Sequence, residues 1–273
     1  MPFVEQPGYR IHHQSLGRRE APPLLLIMGL GMASDAWEKL PERLAERFRV
    51  ILLDNRGMGR SSASPGGFRI RDLADDAALV LDAEGIDRAS VFGISMGGMI
   101  AQELALRHPG RVRALILGAT FGSQRRSHKP RLGVARDLLL VSLFSRTPKR
   151  MARLLVSDAF MARSPDRFAS WLGRLGRPQR AAARRQIVAI ARHEAEDRLP
   201  QLRIPTLVIS GDRDRLVPVE NSRRLARMIP RARLVELPGA GHAFPFERAD
   251  ETVRALLEHC LPPITPPASA PAA

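Results

Sequence analysis

The stretch Ala89-Ser90-Val91-Phe92-Gly93-Ile94-Ser95-Met96-Gly97 decides how the rest of the chain is read. An apolar run ends in Gly-x-Ser-x-Gly and leads into a helix-like segment, the pattern of a serine held on a sharp turn between a strand and a helix. Such a turn needs nearly bare residues on either side of the serine, because the chain doubles back on itself at a backbone angle that side chains seldom adopt. Gly93 and Gly97 meet that need. The pattern is weak alone, since Gly and Ser are ordinary turn residues, and its weight depends on chemical partners further along the chain.

A serine hydroxyl is a poor nucleophile unless a base takes its proton, and that base must be held in one tautomer by an acid. The run Thr206-Leu207-Val208-Ile209-Ser210 reads as a strand that passes into Gly211-Asp212-Arg213-Asp214-Arg215-Leu216-Val217-Pro218, placing carboxylates at its carboxyl end. The next strand-like run, Leu234 to Leu237, leads into Pro238-Gly239-Ala240-Gly241-His242. Serine, then aspartate, then histidine is an order that accompanies this kind of turn. The structural alternatives are a turn-bracing side chain for either aspartate and an ordinary hydrogen-bonded loop residue for His242. His108, before Pro109, and His193 lack a place at a strand end and read as structural, and Arg56 reads as a brace for its loop.

Short β-like runs recur at Tyr9 to Gln14, Leu24 to Met28, Val50 to Asp54, Ser90 to Gly93, Ala114 to Gly118, Thr206 to Ser210 and Leu234 to Leu237. Several are apolar throughout, as strands covered on both faces should be. Helix-like stretches lie between them, such as Ile70 to Glu84, with Leu73, Ala77, Val80 and Leu81 on one stripe, and Met99 to His108. The alternation predicts an α/β fold with a mostly parallel sheet and helices on both faces. It breaks after Gly118. From Arg131 to Leu199 the apolar residues recur at helical spacing, with Pro148, Pro165 and Pro178 each placed to begin a helix. This predicts a helical cap, inserted after the sixth core strand, over the carboxyl ends of the strands. The expected division is a core of residues 1–120 and 204–261, an Arg-rich cap of residues 121–203, and a disordered tail of residues 262–273 holding five prolines.

With these motifs in place, the chain from Tyr9 to Leu261 resembles the α/β-hydrolase superfamily, in its branch of small capped esterases, lactonases and cofactor-free perhydrolases. Besides the serine turn, Asp54-Asn55-Arg56-Gly57-Met58-Gly59-Arg60-Ser61 is similar to the family's loop after the fourth strand, and Gly211 to Pro218 to its acid loop. The segment Gly93 to Pro109 also resembles 3-oxoadipate enol-lactonases. The resemblance implies a triad of Ser95, Asp214 and His242, because the family's acid lies three residues after the glycine, which selects Asp214 over Asp212. It also implies an oxyanion hole from the backbone N–H groups of Met96, directly after the nucleophile, and Leu30, in Met28-Gly29-Leu30-Gly31. The commoner His-Gly pair is absent there, with Met28 in the place of the histidine.

The 273 residues carry a net charge of +15, and 19 Arg or Lys against 6 Asp or Glu fall between Phe121 and Arg203. The basicity therefore belongs to one segment. Two readings stand: a compositional bias toward arginine, or a positive surface that attracts an anionic substrate, an acidic carrier protein or a membrane face. No RNA-binding aromatic pattern or zinc-finger spacing accompanies it, which disfavours nucleic acid. The lone Cys260 rules out an intrachain disulfide and falls on an apolar stripe with Val253, Leu256 and Leu257. Met1 to Glu20 lacks the apolar stretch of a signal peptide, and no apolar run is long enough to span a bilayer, so the expectation is a cytoplasmic protein.

The function these observations imply is hydrolysis of a small-molecule carboxylic ester or lactone through an acyl-enzyme, with no cofactor and no metal. Thioesterase or perhydrolase chemistry would use the same three side chains. A non-enzymatic ligand-binding sensor is the reading from another class. Relatives with Asp at the serine turn, the dehalogenases and epoxide hydrolases, are disfavoured by Ser95. Carbon–carbon bond hydrolases, with Trp after the histidine and Asn before the serine, are disfavoured by Ala243 and Ile94.

Overall fold

A computed structural model of the chain describes residues 2–134, 136–137, 148–175 and 180–261. Its strands are β1 (Phe3–Gln6), β2 (Tyr9–Leu16), β3 (Pro23–Ile27), β4 (Arg49–Leu53), β5 (Ala89–Ile94), β6 (Val112–Gly118), β7 (Thr206–Gly211) and β8 (Ala232–Leu237). They form one sheet in the order β1-β2-β4-β3-β5-β6-β7-β8, parallel from β4 to β8 and antiparallel at β1 and β2. The all-apolar runs are the central strands. Leu24 and Leu26 face one side and Leu25 and Ile27 the other, so a single stretch feeds two separate cores. β1 carries no comparable signal: it is four residues, none of them buried, paired with β2 across a tight turn at Gly8, where φ is 80°.

Helices α1 (Leu40–Ala45), α2 (Ile70–Ala83) and α3 (Met96–Arg107) lie between the early strands. The expected stripe of Leu73, Ala77, Val80 and Leu81 is buried with Ile100 and Leu104 of α3 against Val91, Leu115 and Leu117. Between β6 and β7 stand α4 (Pro148–Leu155), α5 (Asp158–Arg163), α6 (Pro165–Arg174) and α7 (Arg180–Ala191). Pro165 opens α6 as its sequence position suggests, since a missing N–H costs nothing in a first turn. Pro148 likewise begins α4. Pro178 and the tail of residues 262–273 lie outside the described residues. After β7 comes α8 (Val219–Met228), and after β8 come α9 (Phe244–Glu247) and α10 (Ala249–Cys260). Cys260 is buried on α10, and burial pushes its thiol up to about 11.

The helices between β6 and β7 are fastened to the rest by an aromatic cluster. Trp171 stacks on Phe246 at 4.6 Å between ring centroids and Phe160 meets the same ring edge-on at 5.2 Å. Such pairs contribute about 0.5–1.5 kcal/mol each beyond their buried area.

Candidate active site

β3 lies between β4 and β5, so the chain leaves β3 in one direction and returns across it to β5. The loops leaving β3 and β5 therefore diverge at the carboxyl edge of the sheet, which is where open α/β sheets form their clefts. Ser95 stands at that point, as the residue before α3, with φ 56° and ψ −121°. A non-glycine residue held there stores about 1–3 kcal/mol of backbone strain.

Its neighbours explain how the strain is sustained. A β-carbon on Gly93 would lie 2.1 Å from the Gly97 carbonyl oxygen, and one on Gly97 would lie 2.0 Å from the carbonyl oxygen of Ile27. Only glycine lets α3 start directly against the end of β3. The Ser95 N–H donates to the Gly118 carbonyl at 2.8 Å, and the Thr120 hydroxyl donates to the Ser95 carbonyl at 2.7 Å. The backbone of Ser95 is thus pinned from β6 while its side chain stays partly exposed.

The carboxylates after β7 separate into two roles. Asp214 Oδ1 accepts the N–H groups of Leu216 and Val217, both at 2.8 Å, and its Oδ2 lies 2.7 Å from His242 Nδ1. Asp212 instead accepts the Gly239 N–H at 2.7 Å. Asp214 therefore both braces its own turn and holds the histidine, whereas Asp212 ties its loop to the one that follows β8. Asp214 and His242 are 7% and 5% exposed, so their bond is shielded from water. With a carboxylate accepting from Nδ1–H, Nε2 keeps its lone pair.

The loop carrying His242 folds back across the sheet. Ala240 O accepts the Arg213 N–H at 2.9 Å, and two residues beyond His242 the ring of Phe244 reaches so far over β6 that a β-carbon on Gly118 would touch it at 3.2 Å. Gly118 is the residue whose carbonyl receives the Ser95 N–H. The loop carrying His242 and the backbone of Ser95 thus both meet the end of β6, and among the described residues no hydrogen bond joins the Ser95 hydroxyl to His242.

The loop after β3 completes the surroundings of Ser95. A β-carbon on Gly29 would lie 3.1 Å from Ser95 Cβ. Among the described residues, the backbone N–H groups of Leu30 and Met96 are given to no other protein group. Met96 begins α3, so its N–H sits at the positive end of a 12-residue helix dipole.

Two residues to which the sequence assigns no role border this loop. Gln186 on α7 is fully buried and its Oε1 accepts the Gly31 N–H at 2.9 Å, while its Nε2 has no partner among the described residues. Asn55 donates to the Met28 carbonyl at 3.0 Å, while its Oδ1 has none. Asn55 belongs to the Asp54 to Ser61 motif, which marks it out without saying what it does. For Gln186 the only local hint is a polar residue one turn from Ala182 on one helix face, and that face packs on Gly57, where a β-carbon would lie 2.2 Å from Ala182 Cβ.

The residues read as structural have structural partners. Arg56 pairs with Asp76 at 2.6 Å and with the Tyr9 hydroxyl at 2.7 Å, bracing its loop. His108 meets Asp75 at 2.8 Å. His193 is enclosed beside Gln102, and burial lowers its pKa from 6.5 to about 4. Among the described residues no cluster of three His, Cys, Asp or Glu side chains is arranged to hold a metal, and no helix is long and apolar enough to cross a membrane.

Comparison with known proteins agrees with this fold. The alpha/beta hydrolase fold family matches residues 22–249. A protein of Azorhizobium caulinodans named "Putative carbamate hydrolase RutD" is 34% identical over 87% of this chain and 91% of its own length. The structure of an enol-lactonase from Burkholderia xenovorans superimposes with a TM-score of 0.83 at 28% identity, covering 94% of this chain and 99% of the other. A thermophilic esterase from Thermogutta terrifontis gives a TM-score of 0.79 at 28% identity, covering 94% and 95%. Fold, strand order, serine turn and relatives converge: the chain belongs to the alpha/beta hydrolase fold family.

Proposed function

We propose that the protein hydrolyses a carboxylic ester or lactone of a small molecule, with Ser95 as nucleophile, His242 as general base and acid, and Asp214 holding the imidazole. His242 Nε2 takes the Ser95 proton as Oγ attacks the carbonyl carbon. The negative oxygen of the tetrahedral intermediate is received by the N–H groups of Leu30 and Met96, each such donor being worth roughly 10²–10³ in rate. Collapse breaks the bond to the alcohol oxygen, which takes the proton from His242, and leaves Ser95 acylated. Water, deprotonated by the same imidazole, then attacks the acyl carbon and frees the acid. Residues 121–203 act as the cap that shields this chemistry from bulk water.

The observation that carries the reading is the buried 2.7 Å contact between His242 Nδ1 and Asp214 Oδ2, in a chain whose strained Ser95 has a hydroxyl with no hydrogen-bond partner among the described residues. The enol-lactonase and esterase neighbours support an oxygen ester as substrate. A second reading keeps the mechanism and changes the leaving group: the carbamate-hydrolase name of the 34% identical relative favours an acyl carbon bonded to nitrogen.

The test is a panel of short acyl esters, lactones, acyl thioesters and carbamates, run on wild type and Ser95→Ala, together with a serine-directed phosphonate probe. Wild type alone should turn over a substrate and take the label at Ser95. Hydrolysis that persists undiminished in the alanine variant would sink the mechanism, and the preferred member of the panel separates ester from carbamate. No turnover together with tight, non-covalent retention of the same compounds would favour the sensor reading.

A further inference from the structure

The arginines of the segment between β6 and β7 divide by their partners. Arg126 pairs with Asp197, Arg167 and Arg174 with Glu38, and Arg198 with Glu103. Among the described residues, Arg184, Arg185 and Arg192, on α7 and just past its end, have no carboxylate partner. They line a groove of about 490 Å³ together with Arg69 and Arg71, at the start of α2 on the opposite wall. Among the described residues the only carboxylate lining it is Asp72. That carboxylate is already engaged, accepting the Arg69 N–H at 2.7 Å and lying 3.8 Å from Arg71.

Five arginines with one committed carboxylate gather like charge along the two walls of this groove. Such an arrangement is unfavourable when the groove is empty of counter-charge and is relieved by an anion with several oxygens. The guanidinium fork matches phosphoryl oxygens in geometry. Arg185 is presented in a fixed position because it also donates to the carbonyl groups of Ser64 and Pro65. The first turn of the 14-residue α2 adds the positive end of its dipole. Val188, 45% exposed on the same wall, offers an apolar edge to the carbon portion of a ligand. The volume falls within the range of small-molecule sites.

We propose that this groove binds a phosphoryl-bearing anion, bridging Arg69 and Arg71 at the start of α2 with Arg184, Arg185 and Arg192 on the α7 side. A neighbouring face of the same helix carries Ala182 against Gly57 and Gln186 against Gly31, so the groove borders the helix that holds the loop leaving β3. The site is separate from the proposed hydrolytic residues and stands or falls without them.

Calorimetric titration of the full chain with inorganic pyrophosphate at low ionic strength tests it. Saturable binding at one site per chain is expected, weakened at least about tenfold in Arg69→Gln/Arg184→Gln and by less than about twofold in the charge-matched pair Arg18→Gln/Arg19→Gln. Folding of each variant is checked by circular dichroism, and Arg192→Gln alone serves as a milder second variant. Flotation with phosphatidylcholine vesicles, with and without phosphatidylglycerol, identifies the source of the phosphoryl group. Vesicle binding that pyrophosphate displaces and the Arg69/Arg184 pair abolishes assigns it to a lipid headgroup, and pyrophosphate binding without vesicle binding assigns it to a soluble compound. Neither kind of binding at low salt, or equal weakening in both arginine pairs, would overturn the proposal.

Discussion

Gln186 on α7 accepts the N–H of Gly31 at 2.9 Å, so a helix between β6 and β7 holds the loop leaving β3. The two residues are 155 positions apart in the chain. A second anchor of the same kind joins this segment to the His242 loop: Leu155 O accepts the Ala243 N–H at 2.7 Å, and Glu247 accepts the N–H groups of Ser157 at 3.1 Å and Gly241 at 2.8 Å. Burial raises the Glu247 pKa above the usual carboxylate range despite these donors. The helical segment therefore holds both the loop leaving β3 and the loop that carries His242.

Replacing Gln186 with Leu removes the acceptor that the Gly31 N–H uses, at a stability cost of about 1–3 kcal/mol. With Leu30 as an oxyanion donor, the looser loop should lower kcat by roughly 10- to 100-fold while KM changes little. Steady-state kinetics on the folded variant decide the point. An unchanged kcat with a lowered Tm would mean that Gln186 serves packing alone.

The two aspartates after β7 are separable by substitution. Asp214→Asn should cut kcat by about three to four orders of magnitude, because an amide facing His242 Nδ1 favours the wrong tautomer. Asp212→Asn removes a charge but keeps an oxygen that can accept the Gly239 N–H, and should leave kcat within about threefold. Equal losses in both variants would remove Asp214 from its assigned role.

Gly97→Ala places a β-carbon against the carbonyl oxygens of Ile27 and Met28, both of them backbone atoms. The sheet edge cannot yield without breaking pairing, so a destabilisation of at least ~3 kcal/mol is expected, or no soluble folded protein at all. Urea denaturation read by circular dichroism measures it. A variant as stable as wild type would contradict the close approach of α3 to β3.

His193 gives the fold an acid limit. Burial holds its folded pKa near about 4 against an ordinary 6.5, so in that window the unfolded chain binds a proton that the folded chain does not. Stability is therefore fully present above about pH 6.5 and falls as pH drops toward 4, by ~3 kcal/mol in all. Urea midpoints taken from pH 7 to pH 4 should show this slope in wild type and a shallower one in His193→Gln. Identical pH dependence in the two proteins would rule the group out.

Much of this was legible in the sequence because the signals are local. Leu24 to Ile27 and Thr206 to Gly211 announce buried strands by apolar content alone. Gly93-Ile94-Ser95-Met96-Gly97 announces its turn because the steric demand lies within a few residues of the serine. The fold family, the serine turn and a histidine after the last strand all arise from such short-range constraints, with resemblance selecting between Asp212 and Asp214.

The tertiary structure decided what no neighbouring residue encodes. β1 has no signature in the sequence because its four residues bury no regular face and are ordered by pairing with β2. The position of β3 between β4 and β5 is a property of strand order, to which periodicity is blind. The same holds for Gln186 on Gly31, and for Arg69 and Arg71 meeting Arg184, Arg185 and Arg192 around one groove. Sequence shows what each segment buries, because burial follows the period of the backbone. Which distant polar groups then face each other depends on how those buried faces pack, and only the folded chain fixes that.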